Sequence, residues 1–189
     1  MIFTPSNHLS SDDWRLIREL YEASFPIEER RDWALVQRPQ RSEFALYKMS
    51  DEAHSFIGFA TMWHLPSCLY VEHLAIRADL RGGGLGTAVV QALLQESDSE
   101  RPLLLEVEPA EAGELAHRRI AFYERSGLQL LPYDYIQPAY SDDLPEVVLR
   151  LMCSRWLEEH SCRHLIGDLY RVVYARSTDA RRDVHEGKV

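Results

Sequence analysis

The amino-acid sequence predicts a mixed α/β fold in which a mainly antiparallel central sheet is flanked by helices. Three apolar or alternating runs, the last of which ends at Ile76, follow one another without a helical pattern between them. Successive strands of a parallel sheet need crossover helices, so these three strands are expected to pair as antiparallel neighbours. Helical periodicity precedes and follows the three strands. Together these observations exclude a doubly wound dinucleotide-binding domain.

Two helices are predicted before the first of these strands. The first begins near Ser10, buries an apolar stripe that includes Ile17 and Tyr21, and stops at Pro26. A shorter second helix is expected over residues 27–37 and ends before Pro39. Its charged side chains are predicted to form a solvated face.

The order of the remaining elements follows from the spacing of apolar residues and from turn signals. The predicted elements are strand 44–49, strand 56–63, a strand ending at Ile76, a helix from about Leu85, strand 103–107, helix 111–126 capped by Gly127, strands 128–131 and 146–152, and a C-terminal amphipathic helix around residues 165–173. Residues 1–176 are therefore expected to form a single domain, followed by a flexible polar tail over residues 177–189.

Composition narrows the class of protein. The chain has 189 residues, of which 46% are hydrophobic and 27% charged, so an ordinary globular protein is expected. The formal net charge of -9 argues against a nucleic-acid partner and favours a cationic one. No apolar run is long enough to span a bilayer, and the N-terminus lacks the regions of a signal peptide. A cytoplasmic protein without a membrane partner is therefore expected.

A glycine-rich segment joins the strand that ends at Ile76 to the next helix. Its residues are Arg81, Gly82, Gly83, Gly84, Leu85, Gly86 and Thr87. Glycines allow positive φ, so consecutive N–H groups can turn towards one point, where the helix N-terminus adds partial positive charge. Arg81 adds a full charge, and the segment therefore predicts a phosphate or pyrophosphate site. Its spacing fits neither a Walker loop nor the dinucleotide fingerprint GxGxxG.

The pattern RxxGxG in this segment resembles the acyl-CoA loop of the GNAT superfamily of N-acyltransferases. A second motif, FYERSGL at residues 122–128, resembles the FYxxxGF signature that ends the second coenzyme-contacting helix of that superfamily. The order of elements around the two motifs is also similar, over residues 1 to about 152. The resemblance implies a GNAT-like fold and an N-acetyltransferase with acetyl-CoA as its co-substrate.

Shorter similarities resemble a bacterial GNAT subgroup, namely EHLAI from Glu72, LEVEP at residues 105–109, YIQP at residues 135–138 and the extra C-terminal helix. The chain departs from many family members at Ala116, where they carry an asparagine seven residues before the tyrosine of the second motif. A hydrogen bond to the coenzyme must therefore differ, and Arg118 or Arg119 is its candidate replacement.

The resemblance also implies which residues bind the coenzyme. Loop residues 81–87 would hold its diphosphate. The strand amides near Leu74 and Ala75 would donate to the oxyanion that develops at the thioester, while the backbone of Ile76 would bind the pantetheine arm.

Acetyl transfer to an amine needs a proton acceptor, because an alkylamine with a pKa of about 10.4 is protonated at neutral pH. Glu72 is the first candidate base, since it lies in the strand before the loop and is predicted to share a sheet face with Leu74. Glu106 and Glu108, which alternation is expected to place on one face of the next strand, are the alternatives.

The departing thiolate needs a proton donor. By the resemblance this residue is Tyr123, whose phenol would act as general acid. His64 and His73 could also serve as bases, although histidines in such strands are more often core or edge residues.

The acceptor side is the least determined part of the predicted site. By the resemblance the two N-terminal helices wall the acceptor cleft, which selects Glu28, Glu29 and Trp33 as substrate-binding candidates beside the two glutamates of the later strand. Tyr135, with its neighbours Tyr133 and Tyr140, either lines the acceptor pocket or fills a loop core. The expected partner is a small-molecule or peptide amine of open identity, and a homodimer is an open alternative. A non-catalytic acyl-CoA sensor is the alternative function.

No metal site is predicted. His160, Cys162 and His164 lack a second pair of ligands at zinc-like spacing. With Cys68 and Cys153, Cys162 forms no disulfide framework, which agrees with a reducing compartment.

Overall fold

The computed structural model describes residues 1–176. The strands are β1 (Ile2–Pro5), β2 (Phe44–Ser50), β3 (Phe56–His64), β4 (Leu69–Ile76), β5 (Leu103–Val107), β6 (Gln129–Leu130), β7 (Tyr135–Gln137) and β8 (Val147–Cys153). The helices are α1 (Ser11–Ser24), α2 (Trp33–Gln37), α3 (Leu85–Gln95), α4 (Glu114–Arg125) and α5 (Glu159–Asp168), which continues into a π-helical turn, Leu169–Val173. The predicted flexible tail lies outside the described residues.

The strands form one sheet in the order β1-β2-β3-β4-β5-β8-β6, with β7 paired to β8. Every pair is antiparallel except β4 with β5. The predicted mixed sheet, mainly antiparallel and flanked by helices, is therefore confirmed. Among residues 1–176, no helix combines the length and the apolar character needed to cross a bilayer.

The parallel pair β4–β5 is short. It comprises Leu69 with Leu103, Tyr70 with Leu104 and Val71 with Leu105, and beyond these residues the two strands no longer pair. The next residue on each strand is a glutamate, Glu72 on β4 and Glu106 on β5. A wedge-shaped opening in the middle of the sheet therefore begins at two carboxyl side chains.

A β-bulge lies at the same point of β4. Thr61 of β3 opposes His73 whereas Met62 opposes Val71, so Glu72 is an extra residue without a partner on β3. The bulge interrupts the alternation of side chains along β4. Glu72 and His73 both contact residues of the face that α1 covers, while Leu74 packs on the opposite face. The prediction that Glu72 and Leu74 share a face is therefore wrong.

The N-terminal helices differ from their prediction in one respect. Helix α1 has the expected start, where Ser10 and Asp13 form a reciprocal capping box. The predicted helix over residues 27–37 is instead a 3₁₀ turn, Ile27–Glu29, an extended stretch and the short α2. The physical reason is that residues 27–32 have no apolar face to bury, and Asp32 caps a new helix through its bond to the Ala34 amide.

Two strands were missed by sequence analysis, and one predicted helix began too early. Strand β1 pairs with β2, and β7 pairs with β8 inside a segment predicted to be only a connection. Both strands are too short to show alternation. Helix α4 begins at Glu114 rather than at residue 111, because Gly113 has φ of 129° and separates it from a 3₁₀ turn.

Each face of the sheet covers its own core. Helices α1 and α2 and the C-terminal segment bury one face, with Ile17 and Tyr21 against Phe59. Helices α3 and α4 bury the other, through Val89 and Ile120. Residues from both sides of the sheet, among them Phe25 and Tyr123, line the opening between β4 and β5.

Candidate active site

A cavity of about 730 Å³ opens where β4 and β5 diverge. At one end it is lined by Arg81, Gly82, Gly84, Gly86 and Thr87, and along its length by residues 71–76 of β4 and 105–108 of β5 and its end. Further lining residues include Phe25, Glu29, Arg119, Tyr123, Arg125 and Gln137. The cavity therefore has a cationic, glycine-rich end and an end that is rich in carboxyl groups.

The glycine loop presents an open backbone to the cavity. Gly84 adopts a left-handed conformation (φ of 82°) and caps the N-terminus of α3. A Cβ atom at Gly82, Gly83 or Gly84 would meet nothing within 4 Å. Arg81 anchors the loop to the end of β4, since its Nε donates to the Ile76 carbonyl oxygen at 3.0 Å. The loop is thus tied to β4, with open space beside these three glycines.

Gly86 has a different role in the same loop. A Cβ at this position would lie 3.1 Å from the ring of Phe122 on α4. The glycine therefore allows α3 to approach α4 closely, which brings the two predicted motifs into contact.

The two arginines proposed to replace the missing asparagine diverge. Arg119 lines the cavity and pairs with Glu108. Arg118 pairs with Glu114 on the exposed surface of α4 and is not among the residues that line the cavity. Arg125, which sequence analysis did not select, lines the cavity instead.

Tyr123 is buried in α4 and lines the cavity. Burial raises the pKa of its phenol to about 12, while Arg119 opposes this shift and Glu108 adds to it. The hydroxyl group therefore keeps its proton across the physiological pH range and is available as a hydrogen-bond or proton donor.

Glu72 is held in a saturated ionic network. Its carboxylate accepts from Arg31 (Nη2 at 2.7 Å and Nε at 3.0 Å), from Trp63 Nε1 at 3.0 Å and from the Tyr140 hydroxyl at 2.9 Å. The guanidinium of Arg31 lies 5.0 Å from the ring centroids of both Trp63 and Tyr140. Burial alone would raise the pKa of Glu72, but Arg31 and the other partners outweigh it and hold the pKa below its ordinary value.

Glu106 lies in a contrasting environment of phenols. Its carboxyl accepts from the hydroxyls of Tyr135 and Tyr174, the latter at 3.2 Å, and the Tyr70 hydroxyl lies 3.2 Å from that of Tyr174. Burial raises the pKa of Glu106 to about 7, with the three hydroxyls opposing the shift and the charge of Glu72 adding to it. A carboxyl group that lines the cavity and titrates near neutral pH can accept and release a proton.

The other acceptor-side candidates are placed as follows. Glu29 lines the cavity, and burial together with Glu108 raises its pKa. The backbone carbonyl oxygen of Glu28 accepts a hydrogen bond from Gln137, which lines the cavity. Trp33 is partly buried, packs against Trp14 and Tyr21, and is not among the cavity-lining residues.

His73 links β4 to the 3₁₀ turn that contains Glu29. Its Nε2 lies 2.9 Å from the carbonyl oxygen of Glu29 and its Nδ1 lies 2.8 Å from Thr61 Oγ1. The carbonyl can only accept, so Nε2 carries a proton and the Thr61 hydroxyl donates to Nδ1. Burial lowers the pKa of His73, so the ring is neutral and holds the turn that bears Glu29. His64 is exposed and is not among the cavity-lining residues.

Sequence analysis missed several residues that define the two carboxyl environments. They are Arg31 and Trp63 at Glu72, and Tyr70 and Tyr174 at Glu106. Alternation along β4 could have found Tyr70, which precedes Glu72 by two residues. No local pattern marks Tyr174. Within residues 1–176, no group of three or more His, Cys, Asp or Glu side chains is placed to hold a metal ion.

The fold and the cavity define an α/β protein with a glycine loop and a ligand-sized opening between two diverging strands. The profile of the acetyltransferase (GNAT) family matches residues 14–128, and the chain belongs to this family. The resemblance found in the two motifs is thereby confirmed.

Similar proteins agree with this membership. A GNAT-family protein of Bacteroides thetaiotaomicron is 32% identical, with a TM-score of 0.81 over 92% of this chain and 98% of that protein. YjbC of Bacillus subtilis (strain 168), classed with the acetyltransferases, is 30% identical over 102 residues, which are 53% of this chain and 50% of YjbC. The matched region thus spans about half the length of that curated relative. The Vibrio cholerae spermidine N-acetyltransferase shares the fold, with a TM-score of 0.57 at 13% identity over 80% of this chain and 94% of that enzyme.

Proposed function

We propose that this protein is an N-acetyltransferase that moves the acetyl group of acetyl-CoA to a primary amine by direct attack in a ternary complex. The observation that carries the proposal is that the glycine loop, the phenol of Tyr123 and the carboxyl of Glu106 all line one cavity. Family membership supports the proposal. So does the Vibrio cholerae relative, whose structure was determined in complex with CoA and spermine.

The glycine-rich end of the cavity fits a diphosphate. Gly82 and Gly84 leave the backbone open at the N-terminus of α3, and Arg81 brings a full positive charge. Arg119 and Arg125 add cationic groups along the same cavity. In the proposal these residues bind the coenzyme, which supplies the thioester that donates the acetyl group.

The free edge of β4 provides the next set of contacts. Beyond Val71 this strand has lost its β5 partner, so backbone groups on that edge are available to the cavity. We assign N–H groups near Leu74 and Ala75 to the thioester carbonyl oxygen, and the backbone of Ile76 to the pantetheine arm.

Glu106 is the proposed base. The carbon–nitrogen bond forms while the carbon–sulfur bond breaks, and the proton released by the amine passes to the Glu106 carboxylate. Its pKa of about 7 keeps a large fraction ionised at neutral pH and lets it return the proton to solvent. Glu72 is a weaker candidate because its buried ion pair with Arg31 holds its pKa below the ordinary value, which makes its carboxylate a weaker base.

Tyr123 is the proposed donor to the leaving sulfur. The pKa of its phenol is about 12, whereas that of a simple thiol is about 8.5. Complete proton transfer from the phenol to the thiolate is therefore uphill, and Tyr123 acts chiefly by donating a hydrogen bond to the developing negative charge. Tyr123→Phe is expected to lower the turnover number about 10- to 100-fold, the contribution of a hydrogen bond to a charged group, with little change in CoA affinity.

Two experiments test the proposed function. Calorimetry should show binding of CoA and acetyl-CoA and no binding of ATP or NAD. A screen of primary amines, with thiol release as the readout, should then find an acceptor. Tight CoA binding without thiol release for any amine would favour the alternative, a non-catalytic acyl-CoA sensor. Failure of CoA to bind would refute both.

A further inference from the structure

The C-terminal segment, residues 159–176, reaches the candidate base. It lies beyond residues 14–128, which match the GNAT family. Helix α5 passes into the π-helical turn, and the residue that follows this turn, Tyr174, is buried. The Tyr174 hydroxyl lies 3.2 Å from Glu106 Oε1 and 3.2 Å from the Tyr70 hydroxyl. A side chain from the end of the described chain thus contacts the central carboxyl group of the cavity.

The position of Tyr174 is fixed on both sides. Before it, the carbonyl oxygen of Val173 accepts from Arg31 Nη2 at 2.9 Å. After it, Ala175 has φ of 52° and the Arg176 amide donates to the Tyr170 carbonyl oxygen at 2.8 Å. The ring also packs against Tyr140, with centroids 5.3 Å apart. Because π-helical turns are short and infrequent, such a turn directly before a site residue indicates a specific geometric requirement.

We propose that Tyr174 is a positioning residue, through which the C-terminal segment orients the Glu106 carboxyl and stabilises its ionised form. This inference rests on the proposed function, since it assigns Tyr174 a role only through Glu106 as the base. Tyr174 joins the C-terminal segment to Glu106 through a hydrogen bond from its hydroxyl. The segment is therefore part of the catalytic site rather than an appendage to the domain.

Several other groups face Glu106 and must be held constant in a test. Tyr70 and Glu72 lie on β4, and Tyr135 lies on β7. Tyr140 lies on the connection between β7 and β8, and Arg31 is bonded to Glu72. Burial raises the pKa of Glu106 and the charge of Glu72 adds to this, whereas the nearby hydroxyls of Tyr135, Tyr70 and Tyr174 lower it. Removing one hydroxyl should therefore make the carboxyl harder to ionise, provided that the other neighbours stay in place.

Tyr174→Phe tests the inference. The base must be ionised, so the rate rises with pH through the pKa of Glu106. The loss of one O–H donor should shift the acidic limb of the pH–rate profile upwards by about one pH unit. The matched control is Tyr170→Phe, which removes a tyrosine hydroxyl from the same segment, where it donates to the Ile136 carbonyl oxygen at 2.6 Å. The control should leave the acidic limb in place.

A second measurement can be made without knowing the amine substrate. In protein carrying ¹³C-labelled glutamate, the Glu106 resonance, assigned by its loss in Glu106→Gln, should titrate about one pH unit higher in Tyr174→Phe than in the parent. Replacement of Tyr174 by 3-fluorotyrosine, a more acidic phenol of nearly the same shape, should shift the midpoint of the Glu106 titration to lower pH. This variant also provides a test if Tyr174→Phe fails to fold. An unchanged midpoint in the folded variants, or an equal shift in Tyr170→Phe, would overturn the inference.

The outcomes also separate this inference from the proposed function. If Glu106→Gln abolishes turnover but the Tyr174 variants keep the parental titration, Glu106 remains the base and the role of Tyr174 is refuted. If Glu106→Gln retains full turnover, the base assignment itself fails, whatever the Tyr174 variants do to the carboxyl resonance.

Discussion

Glu72 and Glu106 occupy equivalent places, each one residue past the last paired position of β4 and β5, and both are partly buried. Their partners differ. Glu72 has a guanidinium nitrogen at 2.7 Å, whereas Glu106 accepts from neutral hydroxyl donors within the part of the chain that the structure describes. The pKa is lowered at Glu72 and raised to about 7 at Glu106. At these two equivalent strand positions, therefore, the charge of the partner decides whether a carboxyl serves as a fixed anion or as a titrating group.

The largest expected effect is on turnover. Glu106→Gln should lower the turnover number about 10²- to 10⁴-fold, the usual contribution of a positioned base, without weakening CoA binding. Glu72→Gln should retain turnover within a few-fold once the fraction of folded protein is accounted for. The measurement is steady-state kinetics with the acceptor found by the amine screen. A larger loss in Glu72→Gln than in Glu106→Gln would invert the comparison and restore Glu72 as the base.

The free energy of unfolding should show the reverse order, with a larger loss in Glu72→Gln than in Glu106→Gln. Glu72→Gln leaves the Arg31 charge buried without a counter-ion, which should cost about 3–5 kcal/mol of unfolding free energy. The double variant Arg31→Met with Glu72→Gln removes both charges while the amide oxygen can still accept from Trp63 or Tyr140, so it should recover most of that loss. Urea denaturation at neutral pH measures both variants. Equal destabilisation in the single and double variants would show that the charge balance is not what Glu72 contributes.

The pH dependence of stability should separate the two groups by sign. The pKa of Glu106 is raised from 4.5 to about 7 on folding, so its protonated form favours the fold. Its contribution is complete below pH 4.5 and is lost as the pH rises to about 7, in total about 3 kcal/mol. Glu72 has a lowered pKa, so its contribution is present above its ordinary pKa and is lost as the pH falls through the folded value.

Urea denaturation of the parent and the two glutamine variants between pH 3.5 and about 8 checks these signs. Relative to Glu106→Gln, the parent should lose stability with rising pH. Relative to Glu72→Gln, it should lose stability with falling pH. If the differences in unfolding free energy between the parent and the two variants changed in the same direction with pH, the environments assigned to the two carboxyls would be refuted.

How much of this comparison the sequence could predict depends on how local each feature is. The glycine loop and the motif around Tyr123 are each contiguous in sequence, so their resemblance to a known family could be recognised, and it implied that both contact the coenzyme; both line the cavity. The bulge at Glu72 adds one residue to a strand and leaves no signature in a single sequence. The contact of Tyr174 with Glu106 joins residues 68 positions apart, and tertiary packing alone creates it.

The smallest expected effects come from the loss of single hydroxyl groups. They make the sharpest comparison, because the same change, Tyr to Phe, is made beside Glu72 and beside Glu106. Tyr140→Phe removes one of four donors from Glu72 and should cost about 1 kcal/mol of unfolding free energy, with the pH–rate profile unchanged. Tyr135→Phe removes a donor from Glu106 and should move the acidic limb of that profile upwards by about one pH unit. Denaturation and pH–rate profiles are measured on both variants. If Tyr140→Phe also moved the limb, the two carboxyls would titrate as one coupled unit, and the base would have to be assigned to the pair.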